Sequence, residues 1–258
     1  SHRFGVRQGD RVAIAMRNQP AWLVAFAAIQ RCGAVCVPLN SWGLRDELFH
    51  GLQDSGAQLL LCDEPRLQLL EADLRKQGLA SIVVGMQAQP LQAHCQRLED
   101  LLAGDVLTAP ALNVQADDPA LILYTSGTTS LAKGVLSTHR AVCQALVALE
   151  FQGAFCAMSS PERISVVINS GYAPTTLMAV PLFHVSGLHA QFLLALRSGR
   201  RLLLMYKWDV EKAFDLIRDE RCTQFNGAPV MMQQLLTSPR FGTADTASLF
   251  GLGLGGAA

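Results

Sequence analysis

The sequence has no surplus of either charge: 21 Lys and Arg face 21 Asp and Glu over 258 residues. No basic block stands out, so no nucleic-acid surface and no polyanionic partner is expected. The seven cysteines, at 32, 36, 62, 95, 143, 156 and 222, include no CxxC pair and no His/Cys spacing suited to zinc. They read as reduced, mostly buried thiols. With no signal peptide at the start, they point to a reducing cytoplasm, although the abrupt start at Ser1 leaves room for a missing natural N-terminus. Between Ile164 and Leu196 there is no Asp, Glu, Lys or Arg, a span that raises the question of a membrane helix. Asn169, Gly171, Pro174, Thr175, Thr176, Pro181, His184 and Gly187 interrupt it, so no transmembrane segment is expected there. Internal repeats and low-complexity tracts are also absent.

Half of the composition is hydrophobic, enough for one large domain or two ordinary ones. DRVAIAM at 10–16 reads as a buried strand. QPAWLVAFAAIQRCG follows as a helix, with Pro20 in its first turn and Gly33 at its stop. AVCVPL returns as a strand, LRDELFHGLQDSG as a helix ending near Gly56, AQLLLCD as a strand, PRLQLLEADLRKQG as a helix ending near Gly78, and SIVVGM as a strand. This alternation predicts parallel strands with helical crossovers. Residues 87–119 are weaker in pattern, with a short helix around CQRLEDLL and a subdomain seam expected near 105–119. Later, THRAVCQALVALEF reads as a helix capped at or near Thr138, and 153–176 reads as irregular. AVPLFH at 179–184 is expected as a strand, VSGLHAQFLLALRSG as a helix ending near Gly199, and RRLLLM as a strand. WDVEKAFDLIRDERC is expected as a helix capped by Asp209, with Val210, Ala213, Phe214 and Ile217 on one face. TQFNG then reads as a strand, PVMMQQLL as a helix opened by Pro229, and SLFGLGLGGAA as an apolar strand running into glycines.

The most informative stretch is LILYTSGTTSLAKG at 121–134. A strand-like run enters a loop with hydroxyls from Thr125, Ser126, Thr128, Thr129 and Ser130, with Gly127 and Gly134 for sharp turning and Lys133 for positive charge. Such a loop can surround a polyphosphate with donors. A P-loop would need glycine before the lysine and Ser or Thr after it. Ala132 and Gly134 stand there, which argues against an ordinary P-loop NTPase.

The loop resembles the signature of the adenylate-forming superfamily, close to YTSGTTGxPKG, with Ser130 and Ala132 as small departures. PLFH at 181–184 followed by Ser186, Gly187 and Leu188, then FNGAPVMMQQLL at 225–236, then LGLGGAA, resemble further family segments in the same order. The opening GDRVAIAMRNQPAWLVAFAAIQRCGAVCVPLN does so too, and the overall look is nearest the fatty- and aryl-acid CoA ligases. The resemblance implies an α/β fold of helices and mostly parallel sheets in layers, the large N-terminal domain of these enzymes. It implies two half-reactions: a carboxylate attacks the α-phosphate of MgATP, giving acyl-adenylate and pyrophosphate, and a thiol, commonly CoA, then takes the acyl group. By the same resemblance, Thr125, Ser126, Gly127, Thr128 and Thr129 with Lys133 hold the phosphates. Thr128 lies near magnesium, Lys133 and His184 serve catalysis, and Gly255, Gly256 and Ala257 border adenine and acyl chain.

The family pattern continues past Gly-Gly-Ala to an aromatic-Gly-x-Thr-Glu segment, a ribose-binding aspartate and a small C-terminal domain carrying a catalytic lysine. None follows Ala258, so the chain is expected to be an N-terminal portion, inactive by itself and poorly soluble at its cut sheet edge. A non-catalytic nucleotide- or acyl-binding module of the same fold remains open as the alternative.

Overall fold

The computed structural model describes residues 4–85, 94–104, 112–125, 131–241 and 246–254, apart from the Arg163 side chain. Contacts divide the chain into two compact units, Ser1–Val142 and Cys143–Ala258. The expected seam near 105–119 falls partly outside the described residues.

In the first unit, β1 (Arg11–Ala15), β2 (Val35–Pro38), β3 (Leu59–Asp63), β4 (Ala80–Val84), β5 (Cys95–Arg97), β6 (Pro119–Thr125) and β7 (Lys133–Thr138) form one sheet. Its order is β5-β4-β3-β1-β2-β6-β7. Every neighbouring pair is parallel except β6 with β7. Strands β1 to β4 are buried on both faces, which is why they read as unbroken apolar runs. Ala13, Ala15, Val37, Leu39, Leu60, Cys62 and Val83 face a core closed by α2 (Arg45–Ser55) and α3 (Glu64–Gln77) through Leu48, Leu52, Leu67, Leu70 and Leu74. On α1 (Pro20–Arg31), Trp22, Ala25, Phe26 and Ile29 are buried at helical spacing. Gly56 and Gly78 end α2 and α3 in the left-handed conformation, as expected from their sequence positions. A short helix, α4 (Leu98–Leu102), follows β5.

An ion pair buried from water ties β3 to α3. Asp63 and Arg66 are 6% and 5% exposed. Both Asp63 oxygens accept from Arg66 Nη1 at 3.1 Å, and Arg66 also donates to the Ser41 carbonyl from Nε and Nη2 at 2.9 and 2.6 Å. Asp63 further accepts from the Arg17 backbone N–H at 3.1 Å. The pair is thus hydrogen-bonded on both sides, the condition under which a buried charge pair is tolerated.

Helix α5 (His139–Ser159) follows β7, and Thr138 Oγ1 accepts from Ala141 N at 3.2 Å, the cap expected there. The helix runs farther than its sequence suggested, and α6 (Pro161–Asn169) occupies the stretch expected to be irregular. The membrane-span question therefore moves: among the described residues α5, not 164–196, is long and apolar enough to cross a membrane by length and composition. Phe151, Phe155 and Met158 on it are exposed.

The second unit holds a parallel sheet of order β11-β10-β8-β9: β8 (Thr175–Met178), β9 (Arg201–Leu204), β10 (Gln224–Gly227) and β11 (Gly251–Leu254). α9 (Val210–Asp219) opens on Asp209, whose side chain accepts from Lys212 N at 3.0 Å, and buries Ala213, Phe214 and Ile217 against Leu177 and Phe225. α10 (Pro229–Thr237) starts at Pro229 as expected and adds Met232 and Leu235. A second expectation fails. The strand lies at Thr175–Met178, and Ala179–His184 leaves the sheet as a loop. Thr175 and Thr176 are buried in the strand, and Thr175 exchanges hydrogen bonds with Thr223, so polar residues occupy a buried strand that an apolar pattern passes over.

Candidate active site

Strands β6 and β7 form an antiparallel hairpin in which Thr125 stands opposite Lys133 and Tyr124 opposite Gly134. The two ends of the hydroxyl-rich stretch, Thr125 and Lys133, are therefore held side by side by the hairpin. Thr125 and Lys133 are both exposed. Side chains directly opposite in such a pair sit about 4.5–5.5 Å apart at Cβ, so a hydroxyl and an ammonium flank the turn. Ser126, Gly127, Thr128 and Thr129 lie outside the described residues, as do Gly255, Gly256 and Ala257.

Sequence reasoning missed what holds this hairpin. Helix α2 presents His50 and Asp54 one turn apart, on one face. His50 Nε2 bonds the Ala132 carbonyl at 3.0 Å, immediately before Lys133. Tyr124, immediately before Thr125, donates its hydroxyl to Asp54 at 2.7 Å and to the Gly51 carbonyl at 3.2 Å. Burial, then the Asp54 carboxylate, pushes the Tyr124 phenol well above its ordinary pKa, so it stays a donor. One helix thus grips both legs of the loop. The only hint in the sequence is the four-residue spacing of His50 and Asp54, which by itself fixes no target.

In the second unit, His184 precedes α7 (Val185–Gly187) and its carbonyl accepts from Gly187 N at 3.1 Å and Leu188 N at 2.8 Å. Its ring packs on Phe183 with centroids 4.3 Å apart. The side chain reaches solvent, yet desolvation by its surroundings lowers its pKa, which favours the neutral ring. Gly187 is required here: a Cβ would come within 2.2 Å of the Pro181 carbonyl oxygen. That contact folds the PLFH loop back on the helix start and sets where His184 projects.

Beyond α7 the helix widens into a π-helical stretch, Leu188–Leu193, before α8 (Leu194–Ser198). Such stretches recur at functional sites. Here it buries His189 and Gln191, at 6% and 3% exposure. Among the described residues neither His189 Nδ1 nor Gln191 Oε1 has a hydrogen-bond partner. Among the described residues no cluster of three or more His, Cys, Asp and Glu could hold a metal ion. The hydroxyl-rich loop offers hard oxygen donors instead, a set that suits magnesium carried in mainly by phosphates.

The model of the AMP-binding enzyme family covers residues 2–258, and the chain belongs to that family. It is 33% identical to the feruloyl-CoA synthase of Amycolatopsis sp over 98% of its own length and 45% of that protein's. It is 30% identical to the long-chain-fatty-acid–CoA ligase FadD13 of Mycobacterium tuberculosis, over 94% of this chain and 44% of that one. The inhibitor-bound crystal structure of the N-terminal domain of FACL13 from Mycobacterium tuberculosis superposes with a TM-score of 0.75 at 27% identity, covering 98% of this chain and 58% of that chain. The chain thus spans less than half the length of these curated relatives.

Proposed function

We propose that the protein carrying this chain activates a carboxylic acid with ATP, forming acyl-adenylate and pyrophosphate, and then passes the acyl group to the thiol of CoA. The observation that carries this reading is the hairpin turn closed by Thr125 and Lys133 in register, on a chain matched throughout by the AMP-binding family. Ser126, Gly127, Thr128 and Thr129 supply hydroxyl and backbone donors to the β- and γ-phosphates, and Lys133 neutralises charge on the departing pyrophosphate. Magnesium enters with the triphosphate, near Thr128. His184, kept neutral, walls the place where the acid's carboxylate meets the α-phosphate, beside Gly255, Gly256 and Ala257. Positioning and charge stabilisation carry the first step, because the attacking carboxylate needs no base. The seven free thiols support a reducing, cytoplasmic setting.

The test is product analysis with the full-length protein, MgATP and a panel of carboxylic acids. Release of pyrophosphate, with AMP appearing once CoA is added, is expected. Release of orthophosphate would instead support a phosphoryl-transfer enzyme, and binding of MgATP without turnover a non-catalytic module.

A further inference from the structure

Two connections of the second unit diverge at the middle of its sheet. In the order β11-β10-β8-β9, the chain leaves β8 towards β9 and leaves β10 towards β11, in opposite directions. Right-handed crossovers therefore put the helices that follow β8 and β10 on opposite faces. The carboxyl ends of these two strands open a crevice between them, the place where parallel sheets of this kind bind ligands. The loop that carries His184 leaves the β8 side after Met178, and Asn226 and Gly227 end β10 on the other.

One side chain spans the two sides. Gln191, in the π-helical stretch that follows β8, is 3% exposed. Its Nε2 donates to the Asn226 carbonyl at 3.2 Å and, in a longer contact, to the Ser186 carbonyl at 3.4 Å. Carbonyls only accept, so these bonds fix which end of the amide is which. Ser186 stands in α7, two residues after His184. A single NH2 group thus joins the turn that projects His184 to the end of the neighbouring strand. The turn is braced from within by the close fit of Gly187 on the Pro181 carbonyl and by Leu188 N on the His184 carbonyl at 2.8 Å. Gln191 braces it against β10.

Stability alone does not account for an amide at this position. Among the described residues Gln191 Oε1 has no hydrogen-bond partner and is shut off from solvent, and an acceptor left bare in the interior is destabilising. A methionine would occupy a similar space without a bare acceptor, its flexible chain adapting to an irregular gap. A residue that lowers stability beside a ligand crevice, on a π-helical stretch, is the pattern expected where local geometry serves function.

We propose that Gln191 is a positioning residue for acid activation: it holds the His184 turn against the end of β10, so that His184 stands where the acid's carboxylate meets the α-phosphate. Gln191 itself touches no substrate, and the inference rests on the acid–CoA ligase reading above. The test is a double-mutant cycle in the full-length protein, followed by carboxylate-dependent exchange of labelled pyrophosphate into ATP with the acid that wild type uses fastest. Gln191→Met should lower kcat by about tenfold, since a displacement of about 1 Å costs up to a hundredfold, and leave KM for the acid within about threefold. Its melting temperature should stay within about 3 °C of wild type, because relief of the bare acceptor offsets the lost donors. On a His184→Ala background the same substitution should lower kcat by less than about twofold, the residue it positions being gone. If Gln191→Met does not fold, the isosteric Gln191→Glu decides by the same cycle, its carboxyl offering at most one proton where the amide offers two. Wild-type kcat in the folded Gln191 variant, or an equal loss with and without His184, overturns this inference and leaves the ligase reading standing. So does wild-type exchange in His184→Ala. Exchange with no acid of any class in the wild-type protein overturns the ligase reading, and this one with it.

Discussion

The grip of α2 on both legs of the phosphate loop gives a prediction with a magnitude. In Tyr124→Phe the hydroxyl that reaches Asp54 at 2.7 Å and the Gly51 carbonyl is lost. A hydrogen bond to a charged group is worth about 1.5–3 kcal/mol. Asp54 is exposed and Tyr124 only part-buried, so solvent screening brings the expected cost to about 1 kcal/mol, a fall in melting temperature of roughly 2–4 °C. His50→Ala frees the Ala132 carbonyl on the opposite leg. That carbonyl is part-exposed and can turn to water, so the stability cost should be smaller. The effect on chemistry should be larger than either stability change implies. A displacement of about 1 Å in a positioning element costs as much as a hundredfold in rate. Each single variant should therefore lower pyrophosphate exchange by about tenfold, and the double variant by about a hundredfold, with the loss in kcat rather than in KM for the acid. Exchange should be followed in the full-length protein beside thermal melting of the same samples. Melting that falls as expected while exchange stays at the wild-type level would refute the reasoning, leaving His50 and Tyr124 as ordinary stabilising contacts.

Three further outcomes are expected. Asp63→Ala strands the Arg66 guanidinium, which is 5% exposed, and should lower stability by about 3–5 kcal/mol, read as a shift in urea midpoint, whereas Asp63→Leu with Arg66→Met should recover much of the loss. Gly187→Ala drives a methyl against the Pro181 carbonyl at 2.2 Å; it should cost about 1–3 kcal/mol in thermal or urea unfolding and reduce exchange by displacing His184. His189 is buried and its pKa is lowered by desolvation, so the unfolded chain binds the proton more readily. Stability should be unaffected by this group above its unfolded pKa of about 6.5, then fall as pH drops below it at up to about 1.4 kcal/mol per pH unit, flattening below the folded value. His184 shifts in the same direction. His189→Gln should reduce the slope in urea titrations at pH 5–7.

Much of the fold was legible because local chemistry and tertiary packing agree. Pro20, Gly56, Gly78, Asp209 and Pro229 bound helices where their backbone preferences place them, and the apolar runs of β1 to β4 follow from burial on both faces of a parallel sheet. What escaped depends on partners far along the chain. β7 carries no assignment from its sequence: its Val135 and Leu136 are exposed, and only pairing with β6 makes it a strand. The strand expected at Ala179–His184 lies a few residues earlier, since the Thr175 hydroxyl donates to the nearby Ala173 carbonyl and the Thr175 backbone N–H and carbonyl both bond the distant Thr223 hydroxyl. At the site, hydroxyl-rich composition and spacing marked the loop, and the structure describes its two ends at Thr125 and Lys133. His50 carries no local signal, because its significance lies in the Ala132 carbonyl that stands across from it.

The most direct test of the central claim is Lys133→Ala in the full-length protein. Lys133 is exposed at the start of β7, and no described residue forms an ion pair with it, so its removal should change stability by less than about 0.5 kcal/mol. If the turn between Thr125 and Lys133 clamps the departing pyrophosphate, carboxylate-dependent exchange should fall by about a hundredfold to a thousandfold. Exchange within about threefold of wild type, in a variant of unchanged melting temperature, would contradict the account.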